Sequence, residues 1–148
     1  MSELLRDELK EYSLPNGWKI SFPKEWEHEY EPYPEGDQYL FFPSNDDLTF
    51  RITSYGVENE SGYAPIEVLG EIFRNTCEKS MKKKVFDFAC KDFEIECFEG
   101  TTMEGWKRIR KVSVGVMVEG FLLIVNMFAS NRNSIEQSLR YINTICRE

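Results

Sequence analysis

Histidine occurs once in this sequence, at His28, and that scarcity removes several chemistries at the outset. A histidine-rich metal site cannot be assembled, and any Cys–His or Ser–His nucleophile pair would have to use this one residue. The four cysteines, Cys77, Cys90, Cys97 and Cys146, show neither a CxxC pair nor a disulfide-framework spacing. They are read as small apolar residues in a reducing compartment. The spacings that mark zinc and calcium sites are missing, as are a Gly-rich phosphate loop and a G-x-S-x-G elbow. No cofactor and no metal are expected. The longest apolar run, 121–125, stops at Asn126, far short of the ~20 residues that span a bilayer. The opening MSELLRDELKEY carries Glu3, Asp7, Glu8 and Glu11 among its leucines, unlike a secretory signal, so a cytoplasmic chain is expected.

Positive charge is also in deficit. Eighteen Lys and Arg face 26 Asp and Glu, a net charge of −8, which argues against nucleic acid or an anionic membrane as partner. Two basic clusters exist, at Lys79, Lys82, Lys83 and Lys84 and at Lys107, Arg108, Arg110 and Lys111. They read as a helix C-terminus and a solvated strand start.

What is abundant is β-prone apolar sequence. Hydrophobic residues make up 41% of the chain and aromatics 14%, enough for one core, and 148 residues suit a single domain, 1–148. The segment 106–129 holds two β-rich runs meeting at Glu119-Gly120. A two-residue turn there pairs Val118 with Phe121, Val116 with Leu123, Val114 with Val125 and Val112 with Met127, all apolar and all on one face. The other face, Met117–Leu122, Gly115–Ile124 and Ser113–Asn126, is only half as oily. Such a hairpin belongs in the middle of a sheet covered on both sides.

The remaining elements follow from pattern. A short amphipathic helix is expected over 3–11, and strands within 17–57, where Trp18, Ile20 and Phe22 alternate with Lys19 and Ser21. In 25–31 Glu25, Glu27, Glu29 and Glu31 alternate with Trp26, His28 and Tyr30, an edge-strand signature reinforced by Pro32 and Pro34. A helix over 65–82 places Ile66, Leu69, Phe73, Cys77 and Met81 at helical spacing. Strands within 91–129 follow, including one where Phe93, Ile95 and Cys97 alternate with Glu94 and Glu96; a C-terminal helix over 134–147, capped by Asn133, closes the chain. The expected fold class is α+β, a single antiparallel β-sheet of about six to seven strands flanked by helices as an α/β/α sandwich.

The stretch Gly17-Trp18-Lys19-Ile20-Ser21-Phe22-Pro23 followed by Trp26, with a long hairpin and a last helix further on, resembles the opening and element order of the PsbP-like superfamily. The likeness runs from about residue 12 to 146. That group includes an extrinsic photosystem subunit, a Ran-binding nucleotide-release factor and bacterial DcrB-like domains. The resemblance implies a binding protein rather than an enzyme, and brings no catalytic motif, so no functional residue is carried over.

The sharpest candidate surface is 26–39, where Trp26, Tyr30, Tyr33 and Tyr39 are interleaved with Glu27, Glu29, Glu31, Glu35 and Asp37. Exposed Tyr and Trp anchor interfaces, and an acidic rim steers basic partners. Trp26, Glu27, His28, Glu29, Tyr30, Glu31 and Tyr33 are therefore the candidate partner-binding residues. The alternative is that these rings finish the core beneath an edge strand. The leading expectation is a non-enzymatic, cytoplasmic protein-binding module for a basic protein, by analogy a bacterial adaptor, effector-chaperone or immunity-type protein. An exposed edge also permits a homodimer. A second expectation is a small-molecule site in an apolar groove between sheet and helix, with Gly70 and Gly115 leaving room. A third is a hydrolase using Cys77, Cys90 or Cys97 with His28. Glu94, Glu96 and Glu99 supply carboxylates but no acid/base pair legible in sequence.

Overall fold

A computed structural model of the chain describes residues 8–34, 36–44, 47–89 and 92–148. The β-rich segments form strands β1 (Leu9–Ser13), β2 (Trp18–Pro23), β3 (Glu27–Glu31), β4 (Gln38–Phe42), β5 (Thr49–Gly56), β6 (Glu58–Asn59) and β7 (Gly62–Tyr63). Helix α1 (Ile66–Thr76), the short strand β8 (Lys82–Lys83) and the long strands β9 (Glu94–Glu104), β10 (Lys107–Val118) and β11 (Phe121–Ala129) come next. Helix α2 (Arg132–Ser138), a 3₁₀ segment (Leu139–Thr144) and β12 (Cys146–Arg147) end the chain.

Seven strands make one antiparallel sheet in the order β3-β4-β5-β11-β10-β9-β8. The β10–β11 hairpin lies inside it with the register that its valines dictate, from Val118↔Phe121 to Val112↔Met127. Gly120 takes the positive φ of 83° that the turn requires. Strict alternation then splits the sheet into two faces. One carries Val112, Val114, Val116, Leu123, Val125 and Met127 into the larger core; the other carries Met117, Leu122 and Ile124 into the smaller one.

The sheet is not single, which corrects the expectation. Strand β2 pairs with β1 and β12 in a separate three-stranded sheet. Trp18, Ile20 and Phe22 are fully buried from it against the larger core, together with Leu139 and Ile142 of the 3₁₀ segment. The large sheet therefore has α1 on one face, and the small sheet with α2 and the 3₁₀ segment on the other. Alternation identifies β2 as a strand but carries no information on which backbone it will pair with.

Three helices differ from their expected spans. Residues 9–11, placed in a helix over 3–11, are strand; the rest of that helix lies outside the described residues. Five ladder pairs to β2 outweigh a helix too short to be stable alone. Helix α1 stops at Thr76 instead of running to 82, because Cys77 is extended at φ −87°, ψ 141°. Asn75 and Thr76 are weak helix formers, and Met81, which matches the helical spacing, packs from a loop over Gly100. The C-terminal helix over 134–147 is α only to Ser138, and its cap is Asn131, whose side chain accepts from the Asn133 N–H. Beyond it, Thr144 binds the Ser21 N–H and Cys146–Arg147 pairs with β2, which pulls the last turn out of helical geometry.

Candidate functional site

Strand β3 is an edge of the large sheet, bonded to β4 alone from Glu27↔Phe42 to Glu31↔Gln38. Glu27, His28, Glu29 and Tyr30 are exposed and Glu31 half-buried. Alternation sends Glu27, Glu29 and Glu31 to the α1 face of the sheet and His28 to the other, so the glutamates and the histidine do not share a site. His28 packs on Tyr12 of β1 and Phe41 of β4, with ring centroids 5.2 and 6.1 Å apart.

The aromatics divide between core and surface. Trp26 stacks on Phe22 at 5.1 Å and meets Tyr141 edge-on at 5.3 Å, so it closes the larger core as the alternative reading held. Tyr30 and Tyr33 remain 52% and 43% exposed. Their hydroxyls are tied down: Tyr30 donates to Asp37 at 2.7 Å and Tyr33 to Glu31 at 2.9 Å. The bond to Asp37 is the main reason the Tyr30 phenol titrates above its ordinary range. Arg51 reaches Glu31 at 3.2 Å and Gln38 at 3.0 Å, which neutralises one end of the row. Glu27 and Glu29 have no cation within ion-pair distance among the described residues. Glu35 lies outside them.

A trough adjoins this row. Helix α1 has 11 residues, about 16 Å of length, whereas the 12-residue β10 runs about 40 Å, so one end of the α1 face stays uncovered. There Leu40, Phe42, Arg51, Ile109 and Phe128 line a hollow of about 480 Å³, closed at one side by Thr102, Met103, Glu104 and Lys107. Lys111, bonded to Glu78 at 3.1 Å and lying 5.5 Å over the Phe128 ring, separates this hollow from α1. Leu40 and Phe42 are the partners of Glu29 and Glu27, so those two residues lie on the same face, one strand outward from it.

The expected groove between sheet and α1 is filled. A Cβ on Gly115 would stand 2.6 Å from Phe73 Cγ, so the Phe73 ring occupies the space that glycine leaves. At Gly70 the nearest atoms are the tips of Arg74 and Glu96, themselves joined at 2.7 Å. The cysteine reading finds no dyad in the described residues. Cys97 is buried, its thiol pushed up to about 12 by desolvation, and five strand spacings, about 24 Å, separate its strand from that of His28. Cys77 lies across the sheet from His28, its thiol also raised by burial; Cys90 is outside the described residues. Glu94 and Glu96 face α1 while Glu99 pairs with Val112 on the opposite face. The first basic cluster is not a helix end: Lys82 and Lys83 form the far edge strand, and Lys84 bonds Glu136 at 2.7 Å.

Sequence reasoning passed over the β9–β10 turn, where Trp106 stands 97% exposed beside Met103 at 56%. The signal was present in Gly105-Trp106, a two-residue turn that opens on glycine between the paired Glu104 and Lys107. Gly105 takes φ 62° there.

No family model matches the sequence, and no curated protein matches it. The fold does have solved relatives. A protein from Bacteroides thetaiotaomicron superposes with a TM-score of 0.66 at 14% identity over 95% of this chain; the match spans 49% of that longer protein, so this chain is about half its length. Cyanobacterial PsbP (CyanoP) from Synechocystis sp. PCC 6803 gives 0.60 at 12% identity, covering 95% of this chain and 93% of that one. LpqN of Mycobacterium tuberculosis, a protein involved in cell envelope biogenesis, gives 0.53 at 14% identity, covering 97% and 92%. The fold is PsbP-like.

Proposed function

We propose that this chain is a non-enzymatic protein-binding module that takes a basic, extended segment of its partner along β3. The observation that carries the reading is an edge strand with, among the described residues, no strand on its outer side and no cation paired to Glu27 or Glu29, and with Tyr30 and Tyr33 exposed in the same segment. An added strand would bond the free backbone groups of β3, and alternate side chains would reach the glutamates on one face. A long apolar or cationic side chain could then enter the adjoining trough. An adaptor, effector-chaperone or immunity-type role suits such a surface. The proposal includes a cytoplasmic setting, in which Cys77, Cys97 and Cys146 stay as thiols.

The test uses a fluorescent peptide of alternating lysine and valine, with a glutamate–valine peptide as control, read by anisotropy. Binding of the basic peptide should weaken with salt and fall by about tenfold or more in the double variant Glu27→Lys, Glu29→Lys, because like charges then face each other. Equal binding to the variant removes β3 from consideration. Both residues are exposed, so the variant should keep its fold.

A further inference from the structure

The far edge of the large sheet differs from β3 in charge and in how far it is paired. Strand β8 meets β9 only at Lys82↔Glu99 and Lys83↔Phe98, and Met81 packs over Gly100. Among the described residues no strand borders 101–104 on the outer side. The Cys97 carbonyl accepts from the Lys84 N–H at 2.8 Å, which fixes the direction of the backbone. In an antiparallel ladder the N–H and C=O of every second residue share that direction, here those of Glu99, Thr101 and Met103. Lys82 faces Glu99, whereas the outward groups of Thr101 and Met103 face no strand.

Side chains follow the same register. Thr101 and Met103 oppose Arg110 and Arg108, and Glu99 opposes Val112 on one side and Lys82 on the other. All of these residues therefore point to the face of the larger core. Arg108, Arg110, Lys82 and Lys83 are exposed, and none has an ion-pair or hydrogen-bond partner among the described residues. The acids beside them, Glu99 and Glu136, are held by Lys84 at 3.7 and 2.7 Å, and Glu104 opposes Lys107 on the other face. An open hollow of about 410 Å³ lies where β8 would continue, lined by Ser80, Lys82, Lys83, Thr101 and Arg110 with Glu99. The glutamate row of β3 is five strand spacings away, about 24 Å, against a screening length of about 8 Å at physiological salt. A chain of net charge −8 thus keeps one cationic corner.

We propose that an acidic, extended segment of a partner protein adds to β9 along 101–104, in line with β8 and in its antiparallel sense. Its backbone bonds Thr101 and Met103, and the side chains opposite those two residues are carboxylates that meet Arg110, Arg108 and Lys82. Guanidinium groups grip a carboxylate through two parallel N–H bonds, which suits the two arginines to this task. The intervening side chains fall beside Thr102 on the other face, where valine suffices. Met103 and Trp106, 56% and 97% exposed, end the row with apolar surface for an anchoring residue. The inference does not depend on β3; it gives the sheet a second edge of opposite preference.

Anisotropy of the fluorescent glutamate–valine peptide with the full chain tests this. The peptide should bind, less tightly at high salt, and lose about tenfold or more in affinity for Arg108→Glu, Arg110→Glu, where like charges meet. Both arginines are exposed, and an unchanged urea midpoint checks that the variant folds. N-methylation of the peptide's glutamates, whose N–H groups face β9, should abolish binding; N-methylation of its valines should spare it. The Glu27→Lys, Glu29→Lys variant should not weaken this peptide, nor the arginine variant the lysine–valine peptide, so failure at one edge is distinguishable from failure at the other. Absence of binding overturns the proposal, as does undiminished binding to the arginine variant. Equal affinity of the two methylated peptides also overturns it, by showing capture through charge without strand addition. Growth of mass with concentration in sedimentation velocity, abolished by both edge variants, would assign the row to β3 of another copy and overturn it as well.

Discussion

Two glycines, Gly70 and Gly115, look equivalent in sequence, each a small residue that could leave a groove beneath α1. Only Gly115 has a rigid neighbour. An added Cβ there meets three atoms of the Phe73 ring between 2.6 and 2.9 Å, and Phe73 is fully buried with nowhere to turn. Gly115→Ala should cost about 1–3 kcal/mol, the scale of overpacking. In the same urea titrations Gly70→Ala should be neutral or stabilising, because the helix gains up to about 1 kcal/mol. Its contacts are only the flexible ends of Arg74 and Glu96 at 3.0 Å. Equal midpoints for the two variants would show that Phe73 does not depend on the missing Cβ. What distinguishes these residues is the atom opposite, and that is set by how α1 lies on the sheet, which no local pattern reports. The same holds for Trp26: its alternation with glutamate is visible in sequence, its contacts with Phe22 and Tyr141 are not.

Elements were legible where their partners are near in sequence. The β10–β11 register follows from a two-residue turn and a run of valines, and the edge position of β3 from its glutamate row. Distant partners were illegible: β2 recruits β12 from the other end of the chain, and α1 gives way to a loop so that Lys82–Lys83 can reach β9. Lys84, just past that strand, fastens α2 to the sheet by bonding Glu136 at 2.7 Å, with Glu99 at 3.7 Å. The bond to Glu136 raises its pKa above the ordinary lysine value of 10.5, against the opposing effect of desolvation. A raised pKa means that the folded state holds this proton more tightly. The stabilisation is therefore complete below 10.5 and is lost as pH rises through the folded-state value. Lys84→Met should be less stable than the parent at neutral pH by about 1–3 kcal/mol, the worth of a charge-assisted hydrogen bond. In paired urea titrations that gap should narrow above pH 10.5. A gap that stays constant with pH would mean the loss comes from packing of the lysine stem, not from its charge.

Across the molecule, one hairpin supplies buried residues to both cores, whereas β5 and β9 add only the partly buried Tyr55 and Phe98 to the smaller one. Residues of β10 and β11 enter the larger core from one face and the smaller from the other, so neither core can open without disturbing both strands. β3 enters neither through a buried residue, and its backbone is bonded on one side only. This asymmetry predicts a gradient in native-state hydrogen exchange. Amides of 112–118 and 121–127 should exchange only through global unfolding and follow its denaturant dependence. Those of 27–31 should exchange through local fraying that denaturant barely affects. Exchange of β10 by a route as local as that of β3 would contradict the shared-core arrangement. The gradient also bears on binding: an edge that opens locally can accept a new strand without loss to the hairpin. Saturation with the lysine–valine peptide should then slow exchange in β3, whose fraying it blocks. It should also slow 112–118, by a factor of about one plus the ratio of free peptide to Kd, because a ligand that binds only the folded state raises the free energy of global unfolding.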